Sequence, residues 1–206
     1  TNAQFEKFVK ATGYITVAER PLNAKDYPGV PADKLVPGSA VFTPPAHKVS
    51  LDDPLQWWQY VAGVSWRHPK NPSDPIHPNE PVVQVCYEDA QAYAKWAGKQ
   101  LPTEAEWEFA ARGGLVNNIY PWGNEPIHSG AAKANTWEGN FPYQNEKRDG
   151  FVRAAPVRSF SPNGYGLYDM AGNVWEWCSD LYHNEYYRQI AGDIIVDPQG
   201  PAVSYD

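Results

Sequence analysis

Apolar residues recur at helical spacing in only three stretches of this chain. Phe5, Phe8 and Val9 share one face of the opening segment with Thr12, Thr1 and Gln4 stand at capping-box spacing, and Gly13 ends the run. This pattern predicts a helix from Thr1 to Gly13. Ala90, Tyr93, Ala94 and Ala97 share a face ahead of Gly98 and predict a second helix. The third follows Leu101-Pro102: Thr103 caps it, Glu106 closes a capping box, and Gly113-Gly114 stop it. The apolar run Val82-Val83-Gln84-Val85 predicts a short strand leading into the second helix.

Elsewhere the pattern has no period. From Pro21 to Pro81 prolines recur every few residues and predict an irregular segment, and a stretch that long inside a compact domain is usually functional. After Gly114 the segments Tyr120-Pro121-Trp122-Gly123-Asn124, Asp149-Gly150, Asn163-Gly164 and Gly172-Asn173 mark tight turns between short strands. There is no internal repeat. Helices early and a turn-rich β region late give an α+β class, as a single domain over residues 1–206.

Composition sharpens this picture. With 20 Pro and 16 Gly much of the chain must be loop, and 9 Trp, 13 Tyr and 7 Phe supply the bulk that packs loops together. A net charge of -7 without any Lys/Arg cluster excludes a phosphate-tracking surface, so nucleic acid is set aside. No apolar run is long enough to span a bilayer, and no heptads or spare apolar stripe suggest a partner copy, so a monomer away from membranes is expected. The chain opens on Thr1 rather than Met, directly in a helical pattern, so we expect it to be incomplete at its start, with any targeting segment out of view.

The side-chain chemistry narrows the function classes. His47, His68, His77, His128 and His183 lack the spacing that sets two imidazoles on one zinc. No Gly-x-Ser-x-Gly elbow is present, and Gly164-x-Gly166-x-x-Asp169 lacks the third glycine and preceding strand of a dinucleotide loop. Cys86 and Cys178 each adjoin an aromatic residue, which predicts half-buried free thiols. More informative are the oxygen-rich turns: Asn135 and Asp149 flank a Trp-Glu-Gly loop, and Asp169 and Glu176 flank Met-Ala-Gly-Asn-Val-Trp. Calcium takes about six to eight hard oxygen ligands of this kind. On spacing alone, carboxylates that cap turns or pair with Arg153 or Arg158 are the simpler reading.

Several runs shift that balance. Ala92-Tyr93-Ala94-Lys95-Trp96-Ala97-Gly98-Lys99, Leu101-Pro102-Thr103-Glu104-Ala105-Glu106-Trp107-Glu108, Tyr120-Pro121-Trp122-Gly123 and the run from Gly164 to Trp177 resemble the formylglycine-generating enzyme family, the sulfatase-modifying factors. Thr1-Asn2-Ala3-Gln4-Phe5, Ala11-Thr12-Gly13-Tyr14 with Glu19, and Gly63-Val64-Ser65-Trp66-Arg67-His68-Pro69 resemble segments of the true enzymes, so the likeness covers nearly the whole chain. The Leu-Pro-Thr-Glu-Ala-Glu-Trp-Glu and Gly-Asn-Val-Trp-Glu-Trp runs are shared with relatives that do other work, including iron-dependent sulfoxide synthases and non-catalytic binding proteins.

The resemblance implies a fold related to C-type lectins, poor in regular secondary structure. It implies a copper-dependent oxidase that uses dioxygen to convert the Cys of a Cys-x-Pro-x-Arg motif in a sulfatase polypeptide to formylglycine. It further implies two structural calcium sites: Asn135 and Asp149 with the carbonyls of Thr136 and Phe151, and Asp169 and Glu176 with the carbonyls of Gly172 and Val174. Copper(I) in the family is held by two cysteines near the C-terminus, soft ligands suited to that ion. No such pair occurs here, so it is expected beyond Asp206, and residues 1–206 alone are expected to be inactive. Ala94 and Ala111 stand where secretory relatives can carry disulfide cysteines, which points to a bacterial, cytoplasmic member. Within the Pro-rich segment, Trp57, Trp58, Trp66, Arg67 and His68 are the expected contributors to a peptide groove, with core packing as the competing role for each tryptophan. A non-catalytic lectin-like or sulfatase-binding relative, or a sulfoxide synthase, is the alternative function.

Overall fold

A computed structural model describes residues 1–192 and 194–205. Helix α1 spans Asn2–Thr12, with Thr1 and Gln4 forming the predicted capping box and Gly13 in the left-handed region at φ 68, its N–H bonded to Val9 O. Phe5, Phe8 and Val9 are buried by this helix and meet Trp66, whose ring centroid lies 5.1 Å from that of Phe5. Helix α2, Tyr87–Trp96, closes the cluster by stacking Tyr93 on Phe5 with centroids 5.7 Å apart. Asp89 on α2 is fully buried and accepts from Cys86 N, Val17 N and Tyr14 Oη at 2.9, 3.1 and 3.0 Å, which offsets the cost of taking a carboxylate out of water.

Helix α3, Glu104–Arg112, carries the predicted Thr103/Glu106 capping box and ends at left-handed Gly113. A short helix α4 spans Tyr186–Gln189. All three predicted helices are therefore present.

The strands are not where the sequence pattern puts them. Val82–Val85 is not a strand: among the described residues no segment pairs with it, Gln84 adopts φ 61, and its side chain bridges Ser39 Oγ and Pro69 O instead. The paired strands of the described residues are β1, Gly38–Phe42, and β2, Trp58–Ala62, antiparallel with Gly38 opposite Ala62 and Phe42 opposite Trp58. Both lie inside the Pro-rich segment that reads as irregular. Among the described residues after Gly114 there are turns, helix α4 and one isolated bridge, Tyr120 with Gly123, rather than short strands. The α+β class and the low content of regular structure stand.

Aromatic packing is real but uneven. A second cluster joins the β1–β2 hairpin to the 137–141 loop, with Trp57 against Phe141 at 5.4 Å and Phe42 against Trp137 at 5.7 Å. By contrast Trp175 is fully exposed, and Trp177, Phe109 and Tyr165 are exposed beside it in sequence or across α3. The accessible surface of 13640 Å² exceeds the roughly 9,700 Å² of a compact chain of this mass, so these rings are not a rounding effect of one loop.

Candidate metal centres

The two oxygen-rich turns lie side by side. In the first, Asp149 is buried and its carboxylate ties the loop together: Oδ2 accepts from Thr136 N and Oδ1 from Phe151 N, both at 2.9 Å. Its own N–H donates to Glu138 Oε2 at 2.9 Å, which brings in a buried carboxylate that the sequence pattern does not single out. Asn135 spends its Nδ2 on Arg153 O at 2.7 Å and Asn173 Oδ1 at 3.0 Å, which leaves Oδ1 as the pole able to face a cation. An ionised carboxylate offers about four acceptor positions, so Asp149 retains capacity beyond its two backbone donors.

In the second turn Asp169 sits in the left-handed region at φ 58, and its Oδ2 accepts from Arg158 N at 2.8 Å. Among the described residues its Oδ1 is buried with no partner, a state that costs about 1–3 kcal/mol or more for a charged group unless something else satisfies it. Glu176 Oε2 accepts from Trp107 Nε1 at 2.8 Å. An open hollow of about 590 Å³ is lined by Asn135, Thr136, Asp169, Gly172, Val174 and Glu176, so the whole second set and two members of the first face one space. Asp149 and Phe151 are not part of its lining.

The simpler reading is thus met in part. Both aspartates cap turns, but the Arg158 guanidinium lies over the Tyr168 ring at 5.2 Å and only its backbone N–H reaches Asp169. Among the described residues no three His, Cys, Asp or Glu side chains gather as a metal cluster, so a cation at either turn must be completed by amide and carbonyl oxygens. Such a donor set suits calcium and not zinc, and the orphaned Asp169 Oδ1 fits that ion.

The residues expected at a peptide groove divide. Trp66 is 0% exposed, inside the core with Phe5, and its Nε1 donates to Glu19 Oε2 at 3.2 Å, so no face of the ring is open to a peptide. Trp57 is likewise buried, at 6% exposure. Trp58 and Arg67 are exposed, while His68 is half-buried with Nδ1 3.1 Å from Asp74 O. Arg67 is held by Glu19 at 2.8 Å and lies over Trp66 at 4.5 Å. Burial by itself would raise the Glu19 carboxyl, but hydrogen bonds from Thr16 and Arg67 outweigh it and hold the group below its ordinary value.

Comparison with known sequences decides the family: the Sulfatase-modifying factor enzyme 1-like domain matches residues 1–203. The chain belongs to this family. It is 54% identical over 185 residues to the formylglycine-generating enzyme of Mycobacterium tuberculosis, covering 89% of this chain and 62% of that protein. The bovine (Bos taurus) formylglycine-generating enzyme is 42% identical, over 100% of this chain and 52% of its own length. A mouse (Mus musculus) relative named inactive C-alpha-formylglycine-generating enzyme 2 is 42% identical over 88% of the chain and 56% of its own length. Among solved structures, PvdO from Pseudomonas aeruginosa superposes with a TM-score of 0.55 at 27% identity, over 93% of this chain and 57% of that one. The chain spans between about half and two thirds of the length of these relatives.

Within this family member both cysteines are free and half-buried, as their aromatic neighbours predict. Burial pushes both thiols above their ordinary value, and the Asp180 charge adds to it at Cys178. Cys86 stands at the N-cap of α2 with its N–H bonded to Asp89 Oδ2 at 2.9 Å.

Proposed function

We propose that this chain is the calcium-stabilised body of an oxidase that converts the Cys of a Cys-x-Pro-x-Arg motif in sulfatase polypeptides to formylglycine with dioxygen. The observation that carries this reading is its 42–54% identity to proteins of that name from bacteria and cattle. Calcium belongs in it as a structural ion: Asn135 and Asp149 with Thr136 and Phe151 carbonyls, and Asp169 and Glu176 with Gly172 and Val174 carbonyls, supply hard oxygens that cross-link two irregular loops. Calcium has no accessible redox step. The oxidation belongs to copper, held by the cysteine pair expected of the family, and no step is assigned to Cys86 or Cys178.

Trp58, Arg67 and His68 remain as the chain's contribution to peptide binding, an apolar surface beside polar groups suited to an extended segment. Two free cysteines suit a reducing compartment, so a cytoplasmic monomer is part of the proposal. No helix among the described residues is long and apolar enough to cross a membrane.

The test is to incubate the full-length protein with copper(I), dioxygen and a Cys-x-Pro-x-Arg peptide and to look for the aldehyde by mass spectrometry. Conversion is expected, and is expected to persist in Cys86→Ser and Cys178→Ser variants. A second reading, a non-catalytic binding relative, is favoured by the 42% identity to the inactive mouse protein; absence of conversion would select it.

A further inference from the structure

We propose that the two calcium loops form one coupled unit, with Asn173 as the positioning residue that joins them. This inference rests on the calcium reading above. Asn173 lies between Gly172 and Val174, the residues whose carbonyls complete the second set, yet its side chain is spent on the first. The two asparagines exchange hydrogen bonds: Asn173 N donates to Asn135 O at 2.9 Å, and Asn135 Nδ2 donates to Asn173 Oδ1 at 3.0 Å. The Asn173 amide is fixed from a third side by Ala155, whose N–H donates to Oδ1 at 2.7 Å and whose O accepts from Nδ2 at 3.2 Å.

The backbones are also in contact. A Cβ added at Gly172 would lie 2.2 Å from Asn135 O, and both Gly172 and Asn173 are left-handed, at φ 68 and 65. The carbonyls that flank Asn173 therefore take their aim from a conformation locked against Asn135. Asn135 in turn cannot swing its Oδ1 toward an ion without shifting the amide it shares with Asn173. An ion held in either loop orders both asparagines, so the other ion meets a site whose ordering cost is already met. Coupling of this kind is reciprocal, and typically changes affinity by about 5- to 150-fold.

The experiment is calorimetric titration of CaCl2 into the full-length protein stripped with a chelator. Two ions are expected to bind with positive cooperativity. Asp149→Ala, which leaves the second site, and Glu176→Ala, which leaves the first, give each site's affinity alone, and the product of these two affinities should fall on the order of tenfold below the overall two-ion affinity of the intact protein. In Asn173→Gly, which tolerates the left-handed backbone but has no side chain, the two ions should bind independently, and adding Asp149→Ala should weaken the second site no further. Circular dichroism reports whether this variant folds; if it does not, the product of the two single-site affinities still decides. Two independent ions in the unaltered protein, or a product of the single-site affinities equal to its overall two-ion affinity, would overturn the coupling while leaving the calcium reading intact. Cooperativity that survives Asn173→Gly would overturn the role of Asn173. No calcium binding at all would overturn both.

Discussion

Replacing Gly172 by Ala forces a methyl group into the tightest contact between the two loops. The new Cβ would lie 2.2 Å from Asn135 O, 3.1 Å from the Asn135 carbonyl carbon and 3.2 Å from Thr136 Cγ2, in a backbone at φ 68. The left-handed conformation costs a non-glycine residue about 1–2 kcal/mol, and relieving the overlap by moving backbone costs a further ~1–3 kcal/mol. The sum is about 2–5 kcal/mol. Gly166→Ala is the control, because Gly166 has φ 77 but nothing within 4 Å of the added carbon, so only the conformational part applies. Urea unfolding of the two variants, with calcium present, measures the difference directly as a shift of midpoint. Gly172→Ala should lose about 1–3 kcal/mol more than Gly166→Ala. Equal losses would refute the close approach of residues 135 and 172, and with it the packing of one loop on the other.

Three further predictions follow from the core and the titrating groups. Trp66→Ala should cost about 3–5 kcal/mol and flatten the near-ultraviolet circular dichroism; lost peptide binding at unchanged stability would return the ring to the groove. Glu19 is held below its ordinary 4.5, so its contribution is full above that value and lost as pH falls through the lower folded one; Glu19→Gln should flatten the acid limb of a urea-midpoint profile, and an unchanged limb would contradict the assignment. Both thiols are raised above 9.0, so alkylation by iodoacetamide should be slow at pH 7 and reach half its maximal rate only above pH 9; fast reaction at pH 7 would contradict their burial.

What could be read from the sequence was what is local. Thr1, Thr103, Gly13 and Gly113 declare helix ends through contacts within four residues, and each helix appears where those signals stand. The hairpin was hidden because β1 and β2 meet across a long connection and β2 is mostly exposed, so neither strand shows a clean alternation. Val82–Val85 has the composition of a strand, but a strand also needs a partner, and Gln84 turned away to bond Ser39. The same limit applies to the site. Asn135, Asp149, Asp169 and Glu176 stand out because acidic and amide side chains cluster about glycine turns. Glu138 and Asn173 do not, since their roles rest on hydrogen bonds to residues 11 and 38 positions away. Whether a tryptophan in a proline-rich stretch faces in or out is likewise a tertiary fact, and Trp58 and its neighbour Trp57 took opposite answers.

The claim on which the rest depends is that the 135–151 and 169–176 loops are cradles for calcium. An anomalous difference map from crystals of the protein grown with calcium tests it. Two peaks are predicted, one about 2.3–2.6 Å from oxygens of Asn135 and Asp149 and the other at the same range from Asp169 and Glu176. A map in which saturating calcium leaves both loops without a peak would contradict the account.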